Sequence, residues 1–502
     1  MSVNAIKVAS LYMEKIAKTA EKEAERLLMS LIKKSPWQNK VFSVGGFVRD
    51  ELFGIESKDL DLVVEAKGGA KRFAEYLHGI FKEKVSTPRE TGKSYPIWTM
   101  SFKENIEYDG ETYEAKGADI DIADTMKESY PDPSSRQRET EYGTLEEDIK
   151  RRDFTINMLL KDLTTGEIKD MTGVSKDDLK KGILRGHPEV SLDKMFSEDP
   201  LRLIRLIRIQ TKHGFHIPND VIRAVKRNAD RIKIVSAERI MEELSKIMKL
   251  GKLRQAVKFF KITGLLEHIF PEVNSLINVQ QGKDHHAEGD VFRHTMKVLE
   301  HAPATIEGQM SALLHDIGKP ATQTLVENQI HFYEHEDVGA EIAEAMLRRL
   351  KFDVKSIERI KKVVKSHMRP YDLAGAGEKS LRKFIRDVGD ELVDSILELV
   401  RADELGSLPY DVKDSVYDDL KRKIEKIRSS PAKIIKTPVL NGHEIMDLFK
   451  EHGRELTPGP KIKEIMNFLL ELADHYASQE KMLTKEEAKD KVVEHFVKDV
   501  HE

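Results

Sequence analysis

Two glycines and two aspartates lie within one short segment near the start of the chain. Residues 41–65 read VFSVGGFVRDELFGIESKDLDLVVE, and the pair Gly45 and Gly46 predicts a tight bend that brings backbone N–H groups close to a neighbour. Asp59 and Asp61 share one face of a predicted strand, because side chains alternate along it. Two carboxylates this close repel each other unless a cation lies between them, and Mg²⁺ prefers such oxygen ligands together with substrate phosphates. The segment therefore indicates phosphoryl or nucleotidyl transfer.

A second pair of acids lies in ADIDIAD, which also predicts a strand. Asp119 and Asp121 share a face of it, and Asp121 is placed to complete a cluster of three carboxylates. Such a cluster holds two metal ions, which activate the attacking oxygen and neutralise the leaving phosphate. The structural alternative for this pair is an exposed strand face.

Two adjacent arginines precede an apolar segment in DIKRRDFTINMLL. Arg151 and Arg152 are followed by Asp153 and, four residues later, by Asn157. Guanidinium groups fork onto phosphate oxygens, so this pair suits a metal-bound triphosphate. The alternative is a pair of ordinary surface cations next to Asp153.

The segment SEDPLRLIRLIRIQ predicts a helix with a stripe of arginines. Asp199 and Arg202 offer a hydrogen-bond acceptor and a donor fork three residues apart, a combination that can read a nucleobase edge. Arg205 and Arg208 continue the stripe. Pro200 suits the first turn of a helix, so the structural alternative for Asp199 is an N-cap.

A separate set of histidines and aspartates lies further along the chain, on predicted helices. The chain has no cysteine, so any metal must be held by His, Asp or Glu. A lone histidine is more often a core or surface residue, but the pattern H…HD…H…H…D favours a divalent-metal site. Its members are His294, His315, Asp316, His335, His367 and Asp403.

Composition limits the class of protein. The 502 residues exceed what one core accommodates, so several domains are expected. Charged residues make up 34%, and we find no apolar run long enough to cross a bilayer and no secretory or transit signal, so we expect a cytoplasmic protein without a membrane partner. The net charge of −4 does not by itself indicate a nucleic-acid binder.

Several of these strings together resemble one known family. GGFVRD with DLD, RRDFTIN and EDPLRLIRLIR, in this order, look like the motifs of class II tRNA nucleotidyltransferases and bacterial poly(A) polymerases, which have a polymerase-β-like fold. The resemblance is strong over residues 41–217. It implies triphosphate binding by Gly45, Gly46 and Arg49; Mg²⁺ binding by Asp59 and Asp61; a nucleotide pocket shaped by Arg151, Arg152, Asp153 and Asn157; and recognition of the base of CTP or ATP by Asp199 and Arg202, supported by Arg205 and Arg208.

The histidine set resembles an HD phosphohydrolase domain. This implies a second divalent metal, Mg, Mn, Ni or Co, and activity on 2′-phosphate or 2′,3′-cyclic phosphate ends, with a purely structural role still open. The end of the chain is similar to the tail of the same enzymes, where basic residues are candidates for contact with RNA phosphates. These are Lys433, Lys436, Lys461 and Lys463.

We therefore expect an α+β protein with a small polymerase-β-like head followed by an extended helical body. The expected segments are an N-terminal helix (1–37), the nucleotidyltransferase head (38–165), a neck with the nucleotide-recognition helix (166–265), an HD-like helical domain (266–420) and a helical, RNA-contacting tail (421–502).

The expected activity is Mg²⁺-dependent, template-independent addition of CCA to the acceptor end of tRNA from CTP and ATP. A poly(A) polymerase is the nearest alternative, although residues 65–85 lack the basic pattern of the bacterial polyadenylating branch. An enzyme that adds only CC or only A is another, because the predicted loop over residues 129–144 is long and polar. The alternative from a different class is a metal phosphohydrolase whose head only binds nucleotide or RNA.

Overall fold

The computed structural model of the chain describes residues 19–57, 59–91, 96–130, 139–281, 289–327, 329–407, 415–429, 437–479 and 481–498. The chain divides into two compact units. The first comprises Met1–Glu243 and Ile262–His268, and the second comprises Leu244–Lys261 and Ile269–Glu502. The predicted α+β class is confirmed, since the first unit opens with a mixed sheet and helices dominate the rest. The division into five segments stays a prediction.

A seven-stranded mixed sheet forms the centre of the first unit. Its strands occur in the order β11-β10-β1-β2-β7-β4-β3. Strands β2 and β7 run parallel, and the other neighbouring pairs are antiparallel. The strands described in this unit are β1 (Val41–Val44), β2 (Leu60–Val64), β3 (Arg89–Thr91), β4 (Ile97–Ser101), β5 (Ile106–Tyr108), β6 (Glu111–Tyr113), β7 (Asp119–Asp124), β8 (Met126–Ser129), β9 (Glu139–Tyr142), β10 (Leu159–Asp162) and β11 (Ile168–Asp170).

Helices cover both faces of this sheet. Those up to residue 227 are α1 (Ala20–Ile32), α2 (Gly46–Leu52), α3 (Gly69–Phe81), α4 (Leu145–Lys150), α5 (Ser175–Lys181), α6 (Leu192–Glu198), α7 (Arg202–His213) and α8 (Asn219–Arg227). Leu62 of β2 packs in the core formed with α1 and α3, whereas Val63 packs against the α4 side. Because side chains alternate along a strand, Asp61 must face the α4 side together with Val63.

Two hairpins occupy the region between β4 and α4. The predicted Asp109–Gly110 turn is confirmed: β5 and β6 pair across it, and both turn residues have positive φ, of 54° and 81°. The predicted loop over residues 129–144 is wrong at its C-terminal end, where β9 pairs with β8. Alternating Thr and Tyr with Glu gives that short segment enough strand propensity to pair.

The second unit is predominantly helical. The remaining α-helices of the described ranges, of which the first three cross the boundary between the units, are α9 (Ala237–Met248), α10 (Leu253–Thr263), α11 (Leu266–Ile269), α12 (Pro271–Asn274), α13 (Val291–His301), α14 (Ile306–Leu314), α15 (Lys319–Thr322), α16 (His335–Arg349), α17 (Val354–Ser366), α18 (Arg369–Asp372), α19 (Glu378–Val388), α20 (Asp390–Gly406), α21 (Val416–Ser429), α22 (Gly442–Glu451), α23 (Pro460–Ser478) and α24 (Lys485–Val492), followed by a π-helical turn (Val493–Lys498). None of the helices in the described ranges is long and apolar enough to cross a membrane.

A β-hairpin that the sequence analysis did not anticipate interrupts these helices. Strands β12 (Gln323–Val326) and β13 (Gln329–Phe332) pair between α15 and α16. In the tail, Lys461 pairs with Glu464 at 3.1 Å and lies 5.0 Å from the Phe496 ring centroid, and the tail has a core of its own. The predicted RNA contacts Lys433 and Lys436 lie outside the described residues, and the RNA role of all four lysines stays a prediction.

A buried network of charges fixes α1 and α2 to the sheet. The Lys161 ammonium on β10 lies 2.8 Å from a carboxylate oxygen of Glu25 and 2.9 Å from one of Glu51. Lys22 lies 2.6 Å from Glu51, and the Ser43 hydroxyl donates to Glu25 at 2.7 Å. The Glu25 side chain is only 1% exposed, so its charge depends on these partners.

Replacing Lys161 by methionine is expected to destabilise the first unit by about 3 kcal/mol, because it leaves the buried Glu25 and the adjacent Glu51 to share Lys22. Both tryptophans of the chain, Trp37 and Trp98, lie in this unit, so urea denaturation followed by tryptophan fluorescence reports its unfolding selectively.

The control for this prediction is Glu75→Ala. Its ion pair with Lys71 spans 3.9 Å between side chains that are each 57% exposed, so the denaturation midpoint should not move measurably. A Lys161→Met midpoint equal to that of the wild type would show that the network contributes nothing to stability.

Candidate functional site

Two of the predicted carboxylates, Asp61 and Asp121, lie on central strands of the sheet. Asp61 on β2 and Asp121 on β7 are direct neighbours in the parallel pairing, so they face the same side on strands about 4.8 Å apart. Asp59 lies exposed just before β2. The Thr99 hydroxyl on β4 donates to Asp121 at 2.6 Å. The strand register therefore places the two aspartates side by side, and Thr99 holds one of them.

The charged residues around Asp61 change its pKa. Burial raises the pKa of the Asp61 carboxyl to about 6; the charge of Arg152 lowers it, and the charges of Asp121 and Asp59 raise it. Burial and like-charged neighbours both disfavour the ionised form of Asp61, and a bound cation would stabilise that form. The oxygen-only donor set of Asp59, Asp61 and Asp121 fits Mg²⁺, which prefers hard oxygen ligands.

The glycine turn lies beside this cluster. Gly45 has φ +71°, and a Cβ atom built there would lie 3.8 Å from an Asp61 carboxylate oxygen and 3.7 Å from an Arg152 guanidinium nitrogen. The positive φ is what favours glycine here, and the distances show that the turn lies directly beside Asp61 and Arg152. Gly46 begins α2, and the Arg49 guanidinium folds back to within 3.5 Å of where a Gly46 Cβ would be.

A buried aspartate that the sequence analysis missed holds both predicted arginines. Asp148 accepts hydrogen bonds from Arg151 at 2.6 Å and from Arg152 at 2.9 Å. Burial alone would raise the pKa of Asp148, but the guanidinium groups of Arg152 and Arg151 outweigh it and lower the pKa. The signal was present in the sequence, because Asp148 precedes these arginines by three and four residues at the end of a helix. Asp148 thus orients both cations.

The remaining predicted nucleotide residues form one hydrogen-bonded chain. Arg49 donates to the Asn157 side-chain oxygen at 2.7 Å, and the Asn157 amide donates to Asp153 at 3.0 Å. Arg205 on α7 lies 2.7 Å from the other Asp153 oxygen. Although burial acts to raise the pKa of Asp153, Arg205 and these hydrogen bonds lower it strongly. Asp153 and Asn157 therefore position Arg49 and Arg205.

The predicted base-recognition pair starts α7. Arg202 is buried, and its guanidinium donates to the backbone carbonyl of Met195 at 3.1 Å and to that of Arg151. Asp199 is half-buried, and its carbonyl accepts from the Arg202 backbone N–H at 3.0 Å. The N-cap residue of α7 is Leu201, so the alternative of an Asp199 cap is wrong. Arg202 thus ties α7 to the segment that carries the two adjacent arginines.

Tyr130, which the sequence analysis did not single out, lies close to the predicted recognition pair. Tyr130 donates to Glu128 at 3.1 Å, and burial together with the Glu128 charge raises the pKa of Tyr130 to about 12, with smaller effects from Arg202 and Asp199. Tyr130 is therefore a neutral hydrogen-bonding group close to the predicted recognition pair. Arg208 pairs with Glu243 at 2.5 Å.

The six predicted residues of the histidine set lie together in the second unit. They form two groups of potential metal ligands, His294 with His315 and Asp403, and Asp316 with His335 and His367. Asp316 reaches both groups: one carboxylate oxygen lies 3.2 Å from His315 Nε2 and the other 3.4 Å from His335 Nε2. Nitrogen and carboxylate donors around a shared aspartate fit two divalent metals.

Backbone carbonyls fix the orientation of three of these histidines. The Nδ1 atoms of His315, His335 and His367 are hydrogen-bonded to carbonyls three residues earlier, at 2.9, 2.9 and 2.6 Å. This leaves each Nε2 atom directed into the cluster, the arrangement by which proteins orient imidazole ligands. Burial lowers the pKa of His367 to about 3, so this imidazole is neutral, the form that binds metal.

Two other side chains of this centre were missed by the sequence analysis. The Lys319 ammonium lies 2.7 Å from Asp316 and donates to Gln281 at 2.7 Å. The Tyr371 hydroxyl donates to Asp403 at 2.6 Å, and burial together with the Asp403 charge raises the pKa of Tyr371 strongly. Lys319 could have been found from the sequence, because HDIGK places it three residues after Asp316.

Comparison with known proteins agrees with this arrangement. The Poly A polymerase head domain matches residues 41–185, the probable RNA and SrmB-binding site of polymerase A matches residues 214–277, and the HD domain matches residues 291–396. The fold and the two centres define a nucleotidyltransferase head followed by an HD domain.

Curated relatives include the CC-adding tRNA nucleotidyltransferase of Thermus thermophilus, 30% identical over 69% of this chain and 76% of that protein. The A-adding tRNA nucleotidyltransferase of Deinococcus radiodurans is 28% identical over 85% of this chain and 90% of that protein, and the multifunctional CCA protein of Chromobacterium violaceum is 30% identical over 62% and 70%. The chain belongs to the family of tRNA nucleotidyltransferases and poly(A) polymerases, and the resemblance of its motifs is confirmed.

Solved structures show the same fold. The Thermotoga maritima CCA-adding enzyme complexed with tRNA aligns with 97% of this chain and 98% of its own at a TM-score of 0.57 and 21% identity. The Bacillus stearothermophilus CCA-adding enzyme in complex with CTP aligns with 91% and 94% at a TM-score of 0.56 and 18% identity.

Replacing Asp61 by asparagine is expected to stabilise the metal-free first unit at pH 7 by roughly 2 to 3 kcal/mol, because a pKa raised from 3.8 to about 6 disfavours the charged carboxylate in the folded state. The folded carboxyl binds its proton more tightly than the unfolded one. The gain is therefore complete above about pH 6, shrinks as the pH falls towards 4 and disappears below that. Urea denaturation in EDTA, followed by tryptophan fluorescence, measures it.

Asp119→Asn is the matched control, since Asp119 is exposed on the same strand as Asp121. It should give no comparable pH-dependent gain. An Asp61→Asn protein no more stable than the wild type at pH 7 would mean that Asp61 is not electrostatically strained.

Proposed function

We propose that the chain is a template-independent tRNA nucleotidyltransferase that adds CCA to tRNA 3′ ends from CTP and ATP with Mg²⁺. The observation that carries this proposal is the convergence of Asp61 and Asp121, in register on neighbouring strands, with Gly45 and Arg152 directly beside them. Relatives of this chain named for CC addition, A addition and CCA processing support the reaction class.

In this reaction the 3′-terminal hydroxyl of the RNA attacks the α-phosphorus of the nucleotide. A new O3′–P bond forms, the bond to the β-phosphate oxygen breaks, pyrophosphate leaves and the hydroxyl proton passes to solvent. Mg²⁺ held by Asp59, Asp61 and Asp121 would activate the hydroxyl and neutralise phosphate charge. The glycine turn at Gly45 lies beside Asp61, where the triphosphate would bind, and Arg152, fixed by Asp148, places a cation there.

For base selection we propose Asp199 and Arg202 as the protein template, with Arg205 and Arg208 in support. The buried contacts of Arg202 with the Met195 and Arg151 carbonyls hold its guanidinium in a defined direction. A fixed donor fork beside a carboxylate can pair with the polar edge of cytosine or adenine, and the Tyr130 hydroxyl lies in the same environment.

The test is incubation of the purified protein with tRNA transcripts that end before CCA, after C and after CC, with CTP or ATP alone and together, resolved at one nucleotide. Growth by CCA followed by arrest is the expected result. An indefinite A tail would identify a poly(A) polymerase instead, and growth by CC only or by A only would identify a partial enzyme.

The double variant Asp59→Ala/Asp61→Ala should lower incorporation by roughly three orders of magnitude, since metal ions supply several kcal/mol of charge stabilisation. His315→Ala/Asp316→Ala should incorporate nucleotides like the wild type, and Asp119→Asn serves as a carboxylate control. Full extension of tRNA by the Asp59/Asp61 variant would refute the site assignment.

We further propose that the HD centre is a metal-dependent phosphohydrolase acting on 2′-phosphate or 2′,3′-cyclic phosphate ends of RNA. Its support is the pair of ligand groups that share Asp316. Water attacks phosphorus, one P–O ester bond breaks, and the ribose oxygen leaves as a hydroxyl. Two divalent ions would supply the activated water and hold the phosphate. Lys319, held by Asp316 and Gln281, provides an additional positive charge for that phosphate.

His294→Ala should reduce hydrolysis of 2′,3′-cyclic AMP at least about a hundredfold, because it removes a ligand from one of the two metal positions. The assay is run after EDTA treatment and addition of Mg²⁺, Mn²⁺, Ni²⁺ or Co²⁺ singly. His301→Ala is the matched control, since His301 is an exposed histidine two turns further along the same helix. If the wild-type protein hydrolyses neither 2′,3′-cyclic AMP nor adenosine 2′-phosphate with any of the four metals, the proposal is wrong and the role of the HD centre is structural.

A further inference from the structure

The β12–β13 hairpin is built into the HD centre. Strand β13 leads into His335, and the backbone carbonyl of Phe332 accepts the His335 Nδ1 hydrogen bond. Lys319, which lies 2.7 Å from Asp316, places its ammonium 5.4 Å from the Phe332 ring centroid. One side chain of the hairpin therefore borders the cation proposed to bind phosphate.

Because side chains alternate along a strand, the residues that share a face with Phe332 lie on the same side of the hairpin as Lys319. Phe332 and Ile330 share a face of β13, and the pairing register places Gln323 opposite Phe332 and Leu325 opposite Ile330. These four residues form the hairpin face, which extends from Lys319 outwards. Val326 belongs to the opposite face of the hairpin, because it follows Leu325 by one residue.

The hairpin face is apolar and open to solvent. Leu325 is 69% exposed, and Ile330 and Phe332 are half-buried beside it. Gln323 adds an exposed amide, which can donate and accept hydrogen bonds. A partly exposed apolar strip that starts beside a cation of the HD centre is a candidate surface for the organic part of a phosphate ester. Its composition, apolar side chains with one amide and no charged residue, matches a nucleobase, which has apolar faces and a hydrogen-bonding edge.

We propose that the hairpin face binds the 3′-terminal nucleobase of an RNA whose 2′-phosphate or 2′,3′-cyclic phosphate is hydrolysed at the HD centre. The inference rests on the proposed phosphohydrolase function, and it names the substrate class as a nucleoside phosphate with a base. Phosphate at Lys319 directs the attached ribose and base along Phe332 and Ile330 towards Leu325. A small phosphate ester without a base would make no contact with the hairpin face, which would stay exposed to water.

The test compares kcat/KM for 2′,3′-cyclic AMP with kcat/KM for glycerol 1,2-cyclic phosphate, a cyclic phosphate with no base. Leu325→Ser should lower the ratio of the two about five- to tenfold, mainly through KM, because it removes apolar contact with the base. Leu325→Met should restore the ratio. Val326→Ser, a 45% exposed valine on the opposite face, is the control and should keep the wild-type ratio.

A second measurement does not depend on turnover. In saturation-transfer NMR with adenosine 2′-phosphate in EDTA, the base protons H2 and H8 should receive equal saturation from wild type and Val326→Ser and several-fold less from Leu325→Ser.

If Leu325→Ser hydrolyses both substrates with the wild-type ratio of kcat/KM values, the inference about the hairpin face is wrong, while the proposed phosphohydrolase function is supported. If the wild type hydrolyses neither substrate, the phosphohydrolase function fails, and the NMR signal then decides the hairpin face: loss in Leu325→Ser supports base binding, and no signal in any variant overturns it.

Discussion

The burial of the Asp61 carboxyl next to a second carboxylate is the constraint around which the head is organised, and burial has the larger effect on its pKa. The parallel register of β2 and β7 fixes the Cα positions of Asp61 and Asp121 as neighbours. Leu62 and Val63 on either face of β2 are both buried, so a shift of the strand by one residue would expose apolar core and is excluded. The free energy gained by burying the apolar side chains of β2 thus offsets the cost of holding two carboxylates close together. A bound cation would remove that cost, and such arrangements are common at functional sites.

The cations of the head are immobilised by buried acids. Asp148 holds Arg151 and Arg152, Asp153 holds Arg205, and each of these acids has a lowered pKa, so it stays ionised. An arginine whose position is already fixed needs little reorganisation when a phosphate arrives. The same buried acids would be costly without their arginines, since an unpaired buried charge is strongly destabilising. Stability and preorganisation therefore depend on the same ion pairs.

Much of the candidate site could be predicted from local pattern, because strand alternation and helix spacing are local rules. They paired Asp119 with Asp121 on one strand face and placed the Asp109–Gly110 turn in a hairpin. The proximity of Asp61 to Asp121 depends on the register between two strands, which alternation within one strand does not give. Contacts between distant segments could not be predicted in this way. Lys161 and Glu25 are 136 residues apart, and nothing in either segment indicates the other.

The β12–β13 hairpin was missed for a different reason. Its strands have four residues each, too short for a periodic signal to stand out against the helical patterns on either side. Arg202 shows a third limit, since its spacing from Asp199 indicated a side-chain pair, whereas its guanidinium makes hydrogen bonds to backbone carbonyls that no residue pattern encodes.

The two centres differ in the chemistry of their donors, and this separates the metals they favour. The predicted head ligands are carboxylate oxygens, which suit Mg²⁺, whereas the HD centre combines four histidines with two aspartates, and imidazole shifts preference towards transition metals. Within the HD centre the two ligand groups are not independent. Asp316 directs one oxygen to each of them, and Lys319 competes for the same carboxylate. Any change in the position or charge of Asp316 therefore acts on both ligand groups at once, whereas Asp403 belongs to one of them.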